Sequence, residues 1–148
     1  MVITLTSSQA QIPRDVLKRW EHVLNRLRKT ILTLLQNNNG KHISEIEELF
    51  IHYNWKKHLP FLGSFVKKWF GNWQGFGYNV FNEIRECVYN NTCDECGRFF
   101  YEINEFRIDN DFYNIHRDLH VCDECLKRFP QLNNIPKKRK VFKCKKPI

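Results

Sequence analysis

The tetrapeptide Cys-Asp-Glu-Cys occurs twice in the chain, at residues 93–96 and again at 122–125. Each copy is a Cys-x-x-Cys turn, which offers two sulfur ligands from one tight stretch of backbone. Two such turns complete the tetrahedral ligand set that a structural zinc ion requires. The repeat therefore predicts a bound Zn²⁺, and it constrains the C-terminal third of the chain more than any other feature does. The predicted zinc ligands are Cys93, Cys96, Cys122 and Cys125.

The other candidate ligands near this site leave alternatives open. His120 precedes Cys122 by two residues, and His116 lies four residues before His120. A histidine that replaces one cysteine is one alternative, and a second site that also uses Cys87 and Cys144 is another. We expect the histidines to pack without metal and Cys144 to be a free thiol. Gly97 follows the first turn, where the backbone often needs a positive φ.

The expected cellular setting also favours metal over disulfides. No apolar run approaches the roughly 18 residues of a membrane-spanning helix, and the first 20 residues do not resemble a signal peptide. We therefore expect a soluble, intracellular protein that has no membrane partner. Thiols stay reduced in that setting, so two Cys-x-x-Cys pairs indicate metal ligation. The sequon Asn90-Asn91-Thr92 is expected to be silent, because it needs a secretory route.

The segment between the two turns indicates the type of zinc module. Residues 99–103 and 106–108 are typical of two short strands that form a hairpin around Asn104-Glu105. A short helix is expected to begin near Asp123 and to be interrupted around Pro130. The order of turn, hairpin and helix resembles the treble-clef zinc fingers, including their GATA-like members, over residues 90–132. The resemblance implies a small α+β module with four cysteine ligands.

A catalytic alternative comes from the end of the same segment. Residues 118–122, Asp-Leu-His-Val-Cys, are similar to the closing part of an HNH nuclease. That chemistry requires a metal-binding Asp-His or His-His pair on the hairpin, where this chain has Phe, Arg, Ile and Asp. Four cysteines also fill the zinc shell and leave no position for a reactive water. We therefore predict a protein that is not an enzyme and has no catalytic residues.

The first 90 residues predict a helical unit. Apolar residues recur at helical spacing from Pro13 to about Gln36, from Ser44 to about Tyr53, from Pro60 to Gly71, and from a Gly75-Phe76-Gly77 turn to about Tyr89. Ser44 and Glu47 match a capping box. The predicted fold is mostly α, with a helical domain at 1–90, a zinc module at 91–132 and a basic tail at 133–148. The apolar stripe of the first helix is a candidate homodimer surface.

Charge is divided unevenly along the chain. Residues 87–126 carry nine acids against three arginines, whereas residues 127–148 carry nine Lys and Arg and no acid. Phosphate contact favours basic surfaces, so an acidic zinc module is a poor reader of DNA or RNA. Aromatic residues at 53–81 alternate with lysines, a pattern that suits stacking on bases and contact with phosphates. Alternatively, these aromatics form the core of the helical unit and the lysines are its solvated side, with Trp73 the aromatic most expected to be exposed. The predicted nucleic-acid contacts are Arg14, Lys18, Arg26, Lys29, Lys56, Lys57, Lys67 and Lys68.

The tail carries a run that resembles a polyomavirus-type monopartite nuclear localisation signal. The resemblance implies binding to a nuclear import receptor and location in the nucleus of a eukaryotic host cell. It requires an extended, exposed row of cations, and a polybasic arm for RNA, DNA or acidic lipid is the alternative. The residues of this run are Pro136, Lys137, Lys138, Arg139, Lys140 and Val141.

These features together predict a nuclear zinc-binding regulatory protein that acts in transcription or another nucleic-acid process. Its small size and its abundance of Asn, Ile, Lys and Phe suggest a virus-encoded accessory protein. The alternative is an interaction adaptor whose acidic zinc module recruits a host protein. Salt-sensitive nucleic-acid binding distinguishes the first function from the second.

Overall fold

The computed structural model describes residues 14–144, with the side chains of the first helix described from Arg26 onward. Helices dominate this part of the chain, and the strands form one small antiparallel sheet, as the sequence predicts. No helix in the described range is both long enough and apolar enough to span a bilayer. The helices are α1 (Arg14–Asn37), α2 (Ile43–His52), α3 (Trp55–His58), α4 (Gly63–Phe70), α5 (Trp73–Tyr89) and α6 (Asp123–Leu126), with 3₁₀ helices at Pro60–Leu62 and Pro130–Asn134. The strands are β1 (Glu102–Asn110), β2 (Ile115–Val121) and β3 (Lys137–Val141).

The core of the helical part is built from aromatic side chains. Phe50, Trp55, Phe76 and Phe81 are fully buried, with the Phe50 and Phe81 ring centroids 5.6 Å apart and those of Trp55 and Phe76 5.7 Å apart. The Trp55 indole Nε1 donates to the Phe50 carbonyl at 2.8 Å, so its single polar group is satisfied inside the core. The interpretation of the aromatics at 53–81 as core residues is therefore confirmed for Trp55, Phe76 and Phe81.

The apolar stripe of α1 enters the same core. Leu27, Ile31 and Leu35 are buried there, which accounts for the C-terminal half of the predicted stripe. The predicted homodimer surface on this helix also includes residues before Arg26, whose side chains lie outside the described part of the chain. The homodimer therefore stays a prediction.

Helix α5 begins earlier than the sequence predicts. The expected turn at Gly75-Phe76-Gly77 is helical, and the helix begins at Trp73. Asn72 is its N-cap, and the Asn72 side-chain Oδ1 accepts a hydrogen bond from the Gly75 amide at 2.7 Å. Gly77 lies where α5 crosses α2. A Cβ there would collide with the Phe50 carbonyl oxygen and lie 2.8 Å from Trp55 Nε1. Glycine therefore permits close packing of the two helices, which is why it does not end this helix.

The cap of α2 also differs from the capping box that Ser44 and Glu47 predict. The helix starts at Ile43, and the N-cap is His42, whose Nδ1 accepts from the Ser44 amide at 3.2 Å. Glu47 instead accepts a hydrogen bond from Arg85 of α5 at 3.2 Å. The carboxylate thus joins two helices rather than capping one.

The sheet has the order β2-β1-β3, with both pairings antiparallel. The predicted hairpin turn at Asn104-Glu105 is wrong, because β1 runs straight through it and turns at residues 111–114. Asn104 is buried in the strand, where its amide donates to the Val121 carbonyl at 3.0 Å. Asn114, with φ 53°, supplies the left-handed residue of the real turn.

The basic run is not the free arm that the sequence predicts. Residues 137–141 form β3 and pair with β1, Glu102 opposite Val141 and Phe106 opposite Lys137. The Arg139 guanidinium is 3.0 Å from the carboxylate of Asp123 and 3.4 Å from that of Glu102. Lys137 and Lys138 keep exposed side chains. Acidic partners on β1 and α6 explain the pairing, since they neutralise a strand that would otherwise repel itself.

The chain after β3 is anchored in the helical core. Phe142 is buried against Phe99 and Tyr101, and its amide donates to the Tyr101 carbonyl at 2.8 Å. Cys144 is bonded to Cys87 of α5, so the expectation that Cys144 is a free thiol is wrong. A cross-link that spans 57 residues stabilises a fold by roughly 4 kcal/mol through loss of unfolded-chain entropy.

The segment around the first Cys-x-x-Cys turn is attached to the loop between α1 and α2. The Gly40 amide donates to the Phe99 carbonyl at 2.7 Å, and the Phe99 amide donates to the Lys41 carbonyl at 2.8 Å. The Ile43 amide donates to the Gly97 carbonyl at 2.9 Å. Since Phe99 is itself buried in the helical core, the cysteine-rich part has a fixed position on the helices.

Gly77→Ala is expected to lower the free energy of unfolding by about 2–3 kcal/mol, because overpacking outweighs the gain in helix propensity. Urea denaturation followed by circular dichroism measures this. Gly63→Ala is the matched control: it is also in a helix, and a Cβ there meets nothing within 4 Å. The control is expected to be neutral or slightly stabilising, and an equal loss in both variants would contradict the packing at Gly77.

Candidate metal centre

Four cysteine sulfurs form one cluster in the C-terminal third. The sulfurs of Cys93, Cys96, Cys122 and Cys125 all lie within 4.8 Å of one another. Cys96 is partly exposed and the other three are buried. The cluster can hold a metal ion, and it joins the two Cys-Asp-Glu-Cys turns that the sequence singled out.

The sulfur spacing fits a tetrahedral metal better than it fits disulfides. Zinc bonds to sulfur at about 2.3 Å, which places neighbouring sulfurs of a regular tetrahedron about 3.8 Å apart. The Cys96 and Cys122 sulfurs are 3.8 Å apart. A disulfide needs about 2.05 Å, and these four cysteines are unbonded in a chain whose other two cysteines are joined.

The backbone turns that present the sulfurs have the geometry expected of metal-binding turns. Gly97 adopts φ 71°, as predicted, and its amide donates to the Cys93 carbonyl at 2.9 Å. The Cys122 amide lies 3.4 Å from the Cys93 sulfur, and the Cys125 amide lies 3.5 Å from the Cys122 sulfur. Amides directed at sulfur stabilise the thiolate form that binds metal.

The pKa values of the thiols differ within the cluster. Burial raises the pKa of Cys122 and of Cys125. Burial also acts on Cys93, but backbone N–H groups of Cys122, Cys96 and Glu95 outweigh it and lower the pKa of Cys93. Without metal, the cluster therefore retains protons on Cys122 and Cys125, and a divalent cation displaces them on binding.

The aspartate of each repeated turn fastens it to the sheet. The Asp94 amide donates to the His120 carbonyl and the Asp94 Oδ2 accepts from the His120 amide, both at 2.8 Å. The Asp123 carboxylate accepts from the Asn104 amide at 2.9 Å and from Arg139 at 3.0 Å. The Asn104 hydrogen bond and then the Arg139 guanidinium lower the pKa of Asp123. The two aspartates of the repeat thus attach the ligand-bearing turns to the sheet.

The two histidines do not belong to the sulfur cluster. His120 Nε2 lies 3.0 Å from the Glu105 carboxylate, and His116 Nδ1 lies 2.9 Å from Asp109. Both lie on β2, a strand that the sequence did not predict, and their partners lie opposite on β1. Burial opposes the charge on Glu105, but the hydrogen bond from His120 lowers the pKa of that carboxyl overall. Cross-strand ion pairs therefore account for these histidines without metal.

The cations predicted to contact nucleic acid lie apart from the sulfur cluster. Lys56 and Lys57 lie on α3, Lys67 and Lys68 lie on α4, and all four are exposed. Arg26 and Lys29 are exposed on α1. Arg14 and Lys18 are on the same helix, but their side chains lie outside the described part of the chain.

The exposed aromatics differ from the one predicted. Trp73 is partly buried against Phe76, with ring centroids 5.7 Å apart. Phe61 is 58% exposed, and Phe112 and Tyr113 at the hairpin tip are 87% and 68% exposed. Sequence reasoning missed Phe61, although its position directly after Pro60 and between two lysine pairs was a usable signal.

Comparison with known proteins gives no match: no family model, curated protein or solved structure matches the chain. Its function is therefore argued from its own residues.

Zinc binding near neutral pH is expected to release several protons per ion, because raised thiol pKa values keep the metal-free cluster protonated. Because protons compete with zinc for the thiolates, zinc affinity rises with pH and falls on acidification. Calorimetric titration in two buffers of different ionisation enthalpy measures the proton count.

Cys87→Ser is the control for this titration, because Cys87 lies outside the sulfur cluster and its loss is expected to leave the proton count unchanged. Cys96→Ser is expected to weaken binding severely. Zinc binding without proton release would contradict the protonated cluster.

Proposed function

We propose that this chain is a non-enzymatic, zinc-stabilised regulatory protein that binds nucleic acid through the exposed cations of its helices. The observation that carries the proposal is a basic stretch with no acid. Between Glu48 and Glu83 there is no Asp or Glu, and the stretch contains four lysines. All four are exposed on α3 and α4. A surface that presents cations without acidic partners attracts a phosphate backbone by releasing its counterions.

Zinc is the metal that we propose for the four-sulfur cluster. Four thiolates suit Zn²⁺, and a tetrahedral shell filled by protein leaves no position for a reactive water. Such a site is structural, which supports a protein without HNH-type chemistry. The order of turn, hairpin and short helix at α6 supports a treble-clef-like module.

The acidic zinc module is proposed to act as a scaffold rather than as a reader of nucleic acid. Residues 87–126 have a formal charge of −6 before metal binding. Four thiolates and one Zn²⁺ add two further negative charges. The four cations of β3 offset four of these charges on the sheet, so the module is only weakly acidic. Nucleic acid is proposed to bind the helices instead, where the acid-free stretch lies.

The adaptor function is the second candidate, and one observation favours it. Phe112 and Tyr113 stack edge to face at the hairpin tip, with ring centroids 4.9 Å apart, beside the exposed acids Asp109 and Asp111. Exposed aromatics within an acidic surface suit a protein partner better than they suit nucleic acid. A discrete partner that is retained at high salt and lost in Cys122→Ser would favour this function over the first.

We also propose that residues 136–141 bind a nuclear import receptor in a eukaryotic cell. That the protein is encoded by a virus stays a prediction. The exposed side chains of Lys137 and Lys138 on an edge strand support this. Two observations oppose it. The pairing of β3 with β1 opposes it because a receptor needs the extended segment free on both sides, and the Cys87–Cys144 disulfide opposes it because thiols stay reduced in the nucleus. Import therefore requires β3 to detach from the sheet.

Lys67→Ala/Lys68→Ala is expected to weaken nucleic-acid binding and to reduce the dependence of log K on log salt by about 1.4, the share of two phosphate contacts on a single strand. Fluorescence anisotropy at several salt concentrations measures this slope. Lys127→Ala is the matched control, because that exposed lysine pairs with Glu124 at 3.3 Å on the acidic side of the chain. Binding that does not depend on salt would sink the proposed function.

Lys137→Ala/Lys138→Ala is expected to lower the nuclear fraction of a fluorescent fusion of the whole chain in cultured eukaryotic cells, because it removes two adjacent cations from the run. Lys127→Ala/Arg128→Ala removes the same charge a few residues earlier and serves as control. Equal distributions for both variants would argue against an import signal at this position.

A further inference from the structure

We propose that the basic helical surface selects single-stranded nucleic acid, and that Phe61 is the platform on which an unpaired base stacks. This inference rests on the proposed function and names its substrate class. It depends on where Phe61 lies, what surrounds it, and what a duplex would require instead.

Phe61 is held on a rigid support. It is the middle residue of the 3₁₀ helix Pro60–Leu62, and its ring is 58% exposed. Its neighbours Leu59 and Leu62 are both buried in the helical core. Pro60 fixes the backbone at the start of this turn. A flat ring on a fixed support loses little conformational entropy when a base stacks on it.

The helices before and after Phe61 in the chain both carry exposed lysines. The 3₁₀ helix contacts α3, which carries Lys56 and Lys57, and it contacts α4, which carries Lys67 and Lys68. Lysines beside an exposed aromatic form the arrangement that binds single strands, because the cations follow the phosphates while the ring stacks on a base. The Lys68 ammonium lies 5.2 Å from the centroid of the Trp69 ring, so a second aromatic already contacts one of these cations.

An exposed phenylalanine alone needs no functional explanation, since apolar side chains are common on protein surfaces. Phe112 provides the comparison within the same chain. It is 87% exposed, but Asp109 and Asp111 flank it, and both are exposed carboxylates. Phosphates are repelled there. The charge around the ring therefore distinguishes Phe61 from Phe112.

Duplex recognition requires features that this surface does not offer. A helix that reads the major groove must reach base edges along its length. Helices α3 and α4, which carry the four lysines, have only four and eight residues and are about 6 and 12 Å long. The bases of a duplex are already stacked on each other, so an exposed ring gains no partner there. Cations alone would bind a duplex, without any contribution from Phe61.

An anionic membrane is the competing partner for a basic aromatic surface. A helix that lies in a membrane interface presents a continuous apolar face. Here the apolar neighbours Leu59, Leu62 and Val66 are buried, so the surface presents the Phe61 and Trp69 rings beside cations rather than a continuous apolar face. That arrangement favours a base over acyl chains.

The test uses the full-length, zinc-loaded chain and two fluorescein-labelled probes, an oligothymidylate of about 15 nucleotides and a hairpin duplex of equal phosphate count. Anisotropy titrations are compared for wild type, Phe61→Ala, Phe61→Trp and the control Phe112→Ala. Circular dichroism and zinc content verify that each variant is folded.

We expect Phe61→Ala to weaken single-strand binding by about 5- to 100-fold, to leave the salt slope unchanged, and to have little effect on the duplex. Phe61→Trp restores or strengthens binding, and Phe112→Ala matches wild type. Equal affinity for both probes, or equal effects of the two alanine variants, would overturn the single-strand inference while the proposed function stands.

Two further outcomes would contradict the proposed function itself. If neither oligonucleotide binds in a salt-dependent manner, the proposed function fails together with the inference. Binding to phosphatidylserine vesicles that is lost in Phe61→Ala, with no oligonucleotide binding, would assign the surface to membranes instead.

Discussion

The four cysteine sulfurs bring the two repeated backbone turns together, with all four sulfurs within 4.8 Å of one another. The buried apolar side chains around them are few, chiefly Ile103, Phe106 and Val121. A core of that size does not stabilise a fold alone, and metal ligation characteristically supplies the missing free energy in small modules. Once the turns are joined, β1 and β2 have a fixed register, β3 has an edge on which to pair, and Asp123 lies where it accepts from Asn104 and Arg139.

The position of this module on the helices explains the division of charge. Phe99 and Phe142 pack into the helical core, and the bond between Cys87 and Cys144 closes the chain around the module. The acidic residues of β1 and of the two cysteine turns are therefore held on one part of the protein, where the cations of β3 offset part of their charge, while the lysines of α3 and α4 remain exposed on another. We propose that one part stabilises the fold while the other attracts phosphate, and that Phe61 converts this attraction into a preference for unpaired bases.

The sequence predicted those features that depend on local spacing. The two Cys-x-x-Cys turns, the positive φ at Gly97 and the helical periodicity of α1 and α4 each rest on residues a few positions apart. The misplaced features depend on contacts between distant residues. Asn104 reads as a turn residue, but its hydrogen bonds to Val121 and Asp123 stabilise it within a strand. Gly77 resembles a helix stop until Phe50 lies against it, and Cys144 appears isolated until the chain returns to Cys87.

The arrangement of the sheet and its turns depends on metal binding by the four cysteines, and cysteine alkylation combined with native mass spectrometry tests this most directly. We expect the mass of a full-length chain that carries one zinc ion and one disulfide. Cys93, Cys96, Cys122 and Cys125 are then protected from alkylation until a chelator is added, and these four alone react afterwards. A metal-free chain whose four cysteines react at once, or in which they are paired as disulfides, would contradict it.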